Sequence, residues 1–253
     1  MSKKTLTLCH LYPELLNLYG DSGNMLTLAK RLAWRGLDAQ VVEVAMGQTP
    51  HFEDVDLVLI GGGSDREQRI VCEELLRHQR ALAAYVEAGG VLLAVCGGYQ
   101  LLGHRYQMGK ERLAGLSLVD LETHRGSPRL IGNIAIACDL CDHPVVGYEN
   151  HGGRTTLGAG VKPLGRVLAG YGNDGSSGFE GCQYKHVVGT YIHGPLLPKN
   201  PHLADWLLAR ACEQAGLDAV LDAGALPPLD DTVELTANER MVERLLAPKE
   251  RSR

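Results

Sequence analysis

The segment Val91-Leu-Leu-Ala-Val-Cys96-Gly-Gly-Tyr-Gln100 runs an apolar stretch straight into a cysteine followed by two glycines. Such a run suits a strand covered on both faces of a parallel sheet, and the glycines allow a sharp strand-to-helix turn without a Cβ clash. A cysteine at that turn is placed for nucleophilic chemistry. Backbone N–H groups at the start of the following helix favour thiolate over thiol and can stabilise an oxyanion. Free cysteine also serves as a small buried hydrophobe, but the elbow context follows the logic of the G-x-S-x-G serine and marks Cys96 as reactive. A cysteine nucleophile needs a base. Of the ten histidines, His193 is best placed: it follows the strand-like residues 187–192 and precedes Gly194-Pro195, so it sits at a strand end facing a loop.

Two further groups of residues bear on this chemistry. Gly61-Gly62-Gly63 closes another apolar run. An amide from it, Gly62, together with the Gly97 N–H, would supply the two donors of an oxyanion hole, each worth about 3 kcal/mol when removed. The triple glycine reads equally as a tight turn, and no G-x-G-x-x-G follows it to make a dinucleotide fingerprint. Cys138-Asp-Leu-Cys141-Asp-His143 has metal-ligand spacing, but it lacks a fourth ligand and a second paired cluster, so no metal is assigned.

The elements that must carry these residues alternate. Residues 5–10 read as a strand, 22–35 as a helix with Met25, Leu28, Ala29 and Leu32 on one face, 39–44 and 56–60 as strands. Ser64 and Glu67 form a possible capping box for a helix reaching about residue 88. This strand–helix alternation predicts an α/β fold with a doubly wound, largely parallel sheet and flanking helices, whose ligands sit at the carboxyl ends of the strands. Cys96 and the triple glycine both fall there. From 116 to 192 shorter strand-like runs, including 132–137, 145–149 and 186–191, predict a mixed or antiparallel extension. Asn200-Pro201 opens another helix with Leu203, Leu207, Leu208 and Ala211 inward, and a last helix is expected near Thr236, with Glu239 completing a second box.

At 253 residues and 45% hydrophobic content, the chain can fill one large α/β core. No linker, repeat or low-complexity stretch divides it, so one domain over 5–246 is expected. A net charge of −5 argues against nucleic acid as partner. Seven scattered cysteines do not form a secreted disulfide framework and point to the cytoplasm. No apolar stretch approaches the ~18–20 residues of a membrane span, so no membrane insertion is expected. The Lys249-Glu-Arg-Ser-Arg253 tail reads as solvated.

With these motifs in hand, Cys96-Gly97-Gly98-Tyr99-Gln100 resembles the C-x-G-x-Q elbow of the flavodoxin-like class I glutamine amidotransferases. The segments Leu11-Tyr-Pro-Glu-Leu-Leu-Asn-Leu-Tyr-Gly-Asp-Ser-Gly-Asn24, Gly147-Tyr-Glu-Asn-His-Gly-Gly-Arg154 and Gly189-Thr-Tyr-Ile-His-Gly-Pro-Leu-Leu-Pro-Lys-Asn-Pro201 are similar to its cobyric-acid-synthase-like branch. Within that branch they most resemble the glutaminase subunits of lipid II isoglutaminyl synthases. The resemblance implies a Cys96–His193 dyad acting on L-glutamine, Arg129 holding the substrate carboxylate and Gln100 lining the pocket. It implies no cofactor in this chain. ATP and Mg²⁺ would belong to a Mur-ligase-like (MurT-like) subunit that binds the lipid II acceptor, a division that fits the absence of a Walker A motif from this sequence. Where many class I members carry a glutamate two residues beyond the histidine, this chain has Pro195, leaving the acceptor that orients His193 unidentified. Two rivals stay open: an amidotransferase for another acceptor, such as a cobyrinic-acid-type substrate, and a non-catalytic scaffold for a ligase.

Overall fold

The computed structural model describes residues 5–108 and 111–247; the 249–253 tail lies outside them. The first half alternates as its periodicity predicts: β1 (Thr5–Leu11), α1 (Ser22–Ala33), β2 (Asp38–Val44), β3 (Leu57–Ile60), α2 (Asp65–Glu87), β4 (Val91–Val95) and the short α3 (Gly97–Leu101). Every residue of β3 and β4 is buried, as expected of central strands covered on both faces. The capping box at the start of α2 forms, with the Ser64 N–H donating to the Glu67 carboxylate at 2.7 Å. Among the described residues no helix is long and apolar enough to cross a membrane.

The second half is richer in strands: β5 (Arg105–Met108), β6 (Glu111–Ala114), β7 (Leu121–Cys138), β8 (Val145–Leu157), β9 (Gly165–Ala169), β10 (Phe179–Glu180), β11 (Cys182–Tyr184), β12 (Val187–Thr190) and β13 (Ile192–His193), then α4 (Pro201–Gln214) and α5 (Thr232–Leu246). One sheet has the order β11-β12-β4-β3-β1-β2 and is parallel except for β11. The other has β10-β9-β7-β5-β6 with β8 paired to β7 and β13, mostly antiparallel. The short runs 132–137 and 145–149 are the apolar parts of two much longer strands, β7 and β8. Their remaining residues are polar and glycine-rich, and cross-strand pairing rather than propensity holds them extended.

The chain passes between the sheets at Tyr191, where β12 ends and β13 begins. Glu180, fully buried, fixes that seam by accepting from the Tyr191 N–H at 2.7 Å and the Thr190 hydroxyl at 3.1 Å. Burial pushes its carboxyl up to about 8, against those same hydrogen bonds.

The last helix begins at Thr232, four residues before the expected Thr236, which lies inside it. The reason is tertiary. Arg31, 2% exposed, forks onto Asp205 and Asp231 at 2.6–2.7 Å, tying α1, α4 and the start of α5 together. Downstream, the Asn238 amide donates to the Pro144 and Lys199 carbonyls at 3.0 Å. α4 follows the sequence closely: Pro201 is its first residue and Leu203, Leu207, Leu208 and Ala211 are buried.

Candidate active site

Cys96 sits at the β4–α3 junction with φ +50° and ψ −101°, a sparsely populated conformation for a residue with a Cβ. Its surroundings enforce it. The Cys96 N–H donates to the Thr190 carbonyl at 2.8 Å, its carbonyl accepts from the Gln100 N–H at 3.0 Å, and the Gly98 N–H donates to the Gly61 carbonyl at 3.1 Å. Gly98 cannot carry a side chain here: a Cβ would come within 2.6 Å of the Ile60 carbonyl oxygen. The elbow is thus clamped between β3, β4 and β12.

His193 comes from the other sheet. It pairs with Tyr148 of β8 and is 1% exposed. The two side chains meet over Gly62, where a Cβ would lie 3.3 Å from Cys96 Cβ, 3.4 Å from His193 Cε1 and 3.6 Å from Asp21 Oδ2. The Tyr19 ring covers the imidazole at 4.3 Å between centroids. Neither His193 ring nitrogen has a hydrogen-bond partner among the described residues, and Pro195 packs its ring against Gly23.

The electrostatics depart from the expectation that the elbow favours thiolate. Burial pushes the Cys96 thiol up to about 12; the Asp21 charge adds to this, while Arg129 and the Gly97 N–H oppose it. α3 spans only five residues, too short for a macrodipole to offset desolvation. Burial, with help from His151 and Arg129, lowers His193 to about 3. The resting pair is therefore neutral thiol and neutral imidazole.

The expected oxyanion donors differ from each other. The Gly97 N–H faces the sulfur. The Gly62 N–H, by contrast, already donates to Asp21 Oδ2 at 2.9 Å, so it is not free in this state and serves an oxyanion only if Asp21 yields. Asp21 is 1% exposed, and burial pushes its carboxyl up to about 6 despite the Gly62 hydrogen bond.

A cavity of about 340 Å³ opens onto the thiol, lined by Cys96, Gln100, Arg129, Tyr19, Asn150, His151, Gly63, Asp65 and Gln68 among others. Arg129 lies where the β7–β8 register shifts between Arg125 and Leu130, an irregularity of the kind that re-aims a side chain. Asn150 holds the guanidinium, accepting from Nε at 3.0 Å on its side chain and from Nη2 at 2.8 Å on its carbonyl, and donates in turn to the Tyr19 hydroxyl at 2.7 Å. Gln100 donates to Tyr191 at 3.1 Å, while its Oε1 has no partner. Within the 147–154 motif, Glu149 accepts the Tyr171 and Gly172 amides, and Arg154 donates to the Gly153 and Pro128 carbonyls, bracing the irregular stretch of β7 beside Arg129. His151 stacks on Tyr191 at 3.7 Å. Asp21, Asp65, Tyr19 and Gln68 escaped sequence reasoning, because no local pattern distinguishes them from turn and cap residues.

Cys138 and Cys141 are free thiols, with Cys141 Sγ 3.7 Å from the His143 carbonyl. Among the described residues no group of three or more His, Cys, Asp or Glu is arranged to hold a metal.

Comparison with known sequences decides what this geometry belongs to. The CobB/CobQ-like glutamine amidotransferase domain matches residues 7–201. The chain belongs to that family. It is 40% identical over 241 residues to the GatD subunit of the glutamine-hydrolysing lipid II isoglutaminyl synthase of Staphylococcus aureus, covering 94% of this chain and 96% of the relative. The Streptococcus pneumoniae GatD subunit is 38% identical, covering 86% and 85%. Cobyric acid synthase of Listeria innocua is 32% identical over 56% of this chain and 29% of its own length. Among solved structures, PurLQS from Thermotoga maritima superposes with a TM-score of 0.56 at 14% identity, covering 85% of this chain and 99% of that one, a likeness of fold. As a family member the chain is a glutamine amidotransferase.

Proposed function

We propose that this chain is the glutamine-hydrolysing subunit of a lipid II isoglutaminyl synthase, with Cys96 as nucleophile and His193 as its base. The observation that carries the reading is a similarity to GatD that spans nearly both chains, joined to a cysteine elbow and a histidine converging over one glycine. In the resting pair, His193 takes the Cys96 proton as sulfur attacks the side-chain amide carbon of glutamine. The imidazolium then returns that proton to the departing ammonia as the tetrahedral adduct collapses to a thioester. Water, deprotonated by the again neutral His193, releases glutamate. The Gly97 N–H steadies the oxyanion, joined by Gly62 once Asp21 moves. Arg129 takes the α-carboxylate as a two-point fork, and Gln100 shapes the pocket beside it.

Ammonia then passes to a Mur-ligase-like, MurT-like subunit. That subunit uses ATP and Mg²⁺ to activate the D-glutamate α-carboxylate of lipid II, giving D-isoglutamine in cytoplasmic peptidoglycan synthesis. The match to cobyric acid synthase covers only 29% of that protein, which favours the peptidoglycan reading over a cobyrinic-acid-type acceptor. Two unpartnered ring nitrogens on His193 point to an incomplete dyad in the isolated chain. The partner either supplies an acceptor or rearranges the loop around Gly194, and ammonia is released only where it is consumed. The test measures glutamate release by the chain alone, with the ligase subunit, and with the ligase subunit in a His193→Ala background. Strong activity only in the unsubstituted complex supports the reading; equal activity of chain and complex removes the gating, and an active His193→Ala complex removes the dyad.

A further inference from the structure

Free glutamine is a zwitterion, and a pocket that fixes its carboxylate must also receive its ammonium, because an unpaired charge drawn out of water is costly. The charged residues lining the thiol cavity are Arg66, Arg129 and Asp65. With the substrate carboxylate on Arg129, its ammonium enters a cavity that holds a second guanidinium. Asp65 is the lining carboxylate; Asp21 lies buried behind Gly62 and is already engaged by that amide. We infer that Asp65 receives the α-ammonium of glutamine and so makes the site selective for an α-amino acid over a plain carboxamide, an inference that rests on the glutaminase reading of this cavity.

The surroundings of Asp65 suit that task. It is the first residue of α2, directly behind the Ser64–Glu67 cap, so its backbone is fixed. The Tyr106 hydroxyl donates to its Oδ1 at 3.4 Å, and Arg125 Nη1 lies 3.5 Å from its Oδ2. Both contacts are long, and the side chain stays 43% exposed, so the carboxylate is oriented yet open to a ligand. It lines the same cavity as the reacting sulfur, and its charge, the smallest of the influences on that thiol, disfavours the Cys96 thiolate while the Arg129 charge favours it. The two charges that would grip the amino acid thus share one cavity with the thiol that attacks it.

The probes are L-glutamine and 4-carbamoylbutanoate, which is glutamine without the amino group. Binding of each is measured by calorimetry on the full chain in complex with the ligase subunit, in a Cys96→Ala background that prevents turnover. The expected result is a preference for L-glutamine of roughly tenfold or more, the value of a charge-assisted contact. Asp65→Asn, which keeps the size of the side chain, should abolish the preference by weakening L-glutamine alone, and Asp65→Glu should retain most of it. A preference that survives Asp65→Asn overturns the inference, as does an equal loss for both ligands, which would mark a merely structural role. If the Cys96→Ala complex binds no glutamine at all, the glutaminase reading of the cavity falls and takes this inference with it.

Discussion

The two sheets contribute to the candidate site in opposite ways. The parallel sheet is apolar throughout its centre, and the reactive side chain it presents to the cavity is that of a strained residue, Cys96, held at positive φ by backbone hydrogen bonds and close packing at Gly98. The antiparallel sheet supplies the polar apparatus: Arg129, Asn150, His151 and His193 stand on β7, β8 and β13, each held by hydrogen bonds, stacking or strand pairing to a neighbour. On the proposed reading the parallel half makes reactivity by shape, and the antiparallel half adds the base His193 to a set of polar contacts for recognition. Loss of Cys96 or of its partner His193 should then abolish chemistry, whereas changes at the remaining polar residues of the antiparallel sheet should mostly change binding.

The sharpest way to test that division is Cys96→Ala. Glutamine-dependent product formation should fall by on the order of 10⁴-fold or more, while the complex still uses ammonium chloride and melts at an unchanged temperature. Retained glutamine-dependent activity would remove Cys96 as nucleophile. Gly62→Ala probes the seam itself, since its methyl would press on Cys96 and His193 at 3.3 and 3.4 Å. We expect kcat to drop by roughly ten- to a hundredfold, because catalysis falls steeply with small displacements of reacting groups, with folding intact. An unchanged kcat would mean that the two side chains have slack.

Within the antiparallel half, Arg129→Lys should raise KM for glutamine about tenfold with kcat nearly unchanged, a lost two-point contact that is equal in ground and transition states. A fall in kcat instead would place Arg129 in the chemistry and blur the division. The smallest effect concerns the parallel half alone. His10 on β1 is 1% exposed, and burial lowers it to about 4. The unfolded chain takes up a proton near pH 6.5 and the folded chain does not, so this contribution to stability is complete above that pH and is lost as pH falls toward 4. His10→Gln should flatten the dependence of melting temperature on pH between those values while leaving glutamine kinetics alone. An unaltered acid limb would assign it to other histidines lowered by desolvation, of which His193 at about 3 and His202 at about 4 are the candidates.

The sequence by itself determined whatever is local. An apolar run into Cys96-Gly97-Gly98 can only be buried strand and tight turn, Ser64 and Glu67 meet as a cap because they are three residues apart, and Asn200-Pro201 opens α4 for the same short-range reason. Cys96, His193, Arg129 and Gln100 stand out as candidates from such motifs and from the resemblance that they carry; the structure places Cys96, Arg129 and Gln100 on one cavity and His193 beside Cys96 over Gly62. Tertiary structure decided the rest. That Asp21 takes the Gly62 amide, that Asn150 holds Arg129, and that Tyr19 in turn holds Asn150 depend on contacts between residues 41, 21 and 131 positions apart. The thiol's resting protonation depends on burial by elements from both sheets. Even the start of α5 was set by a salt bridge to Arg31, 200 residues away. Local pattern fixes φ, ψ and which face is apolar, whereas desolvation, charge pairing and strand register are properties of neighbours that only the folded chain brings together.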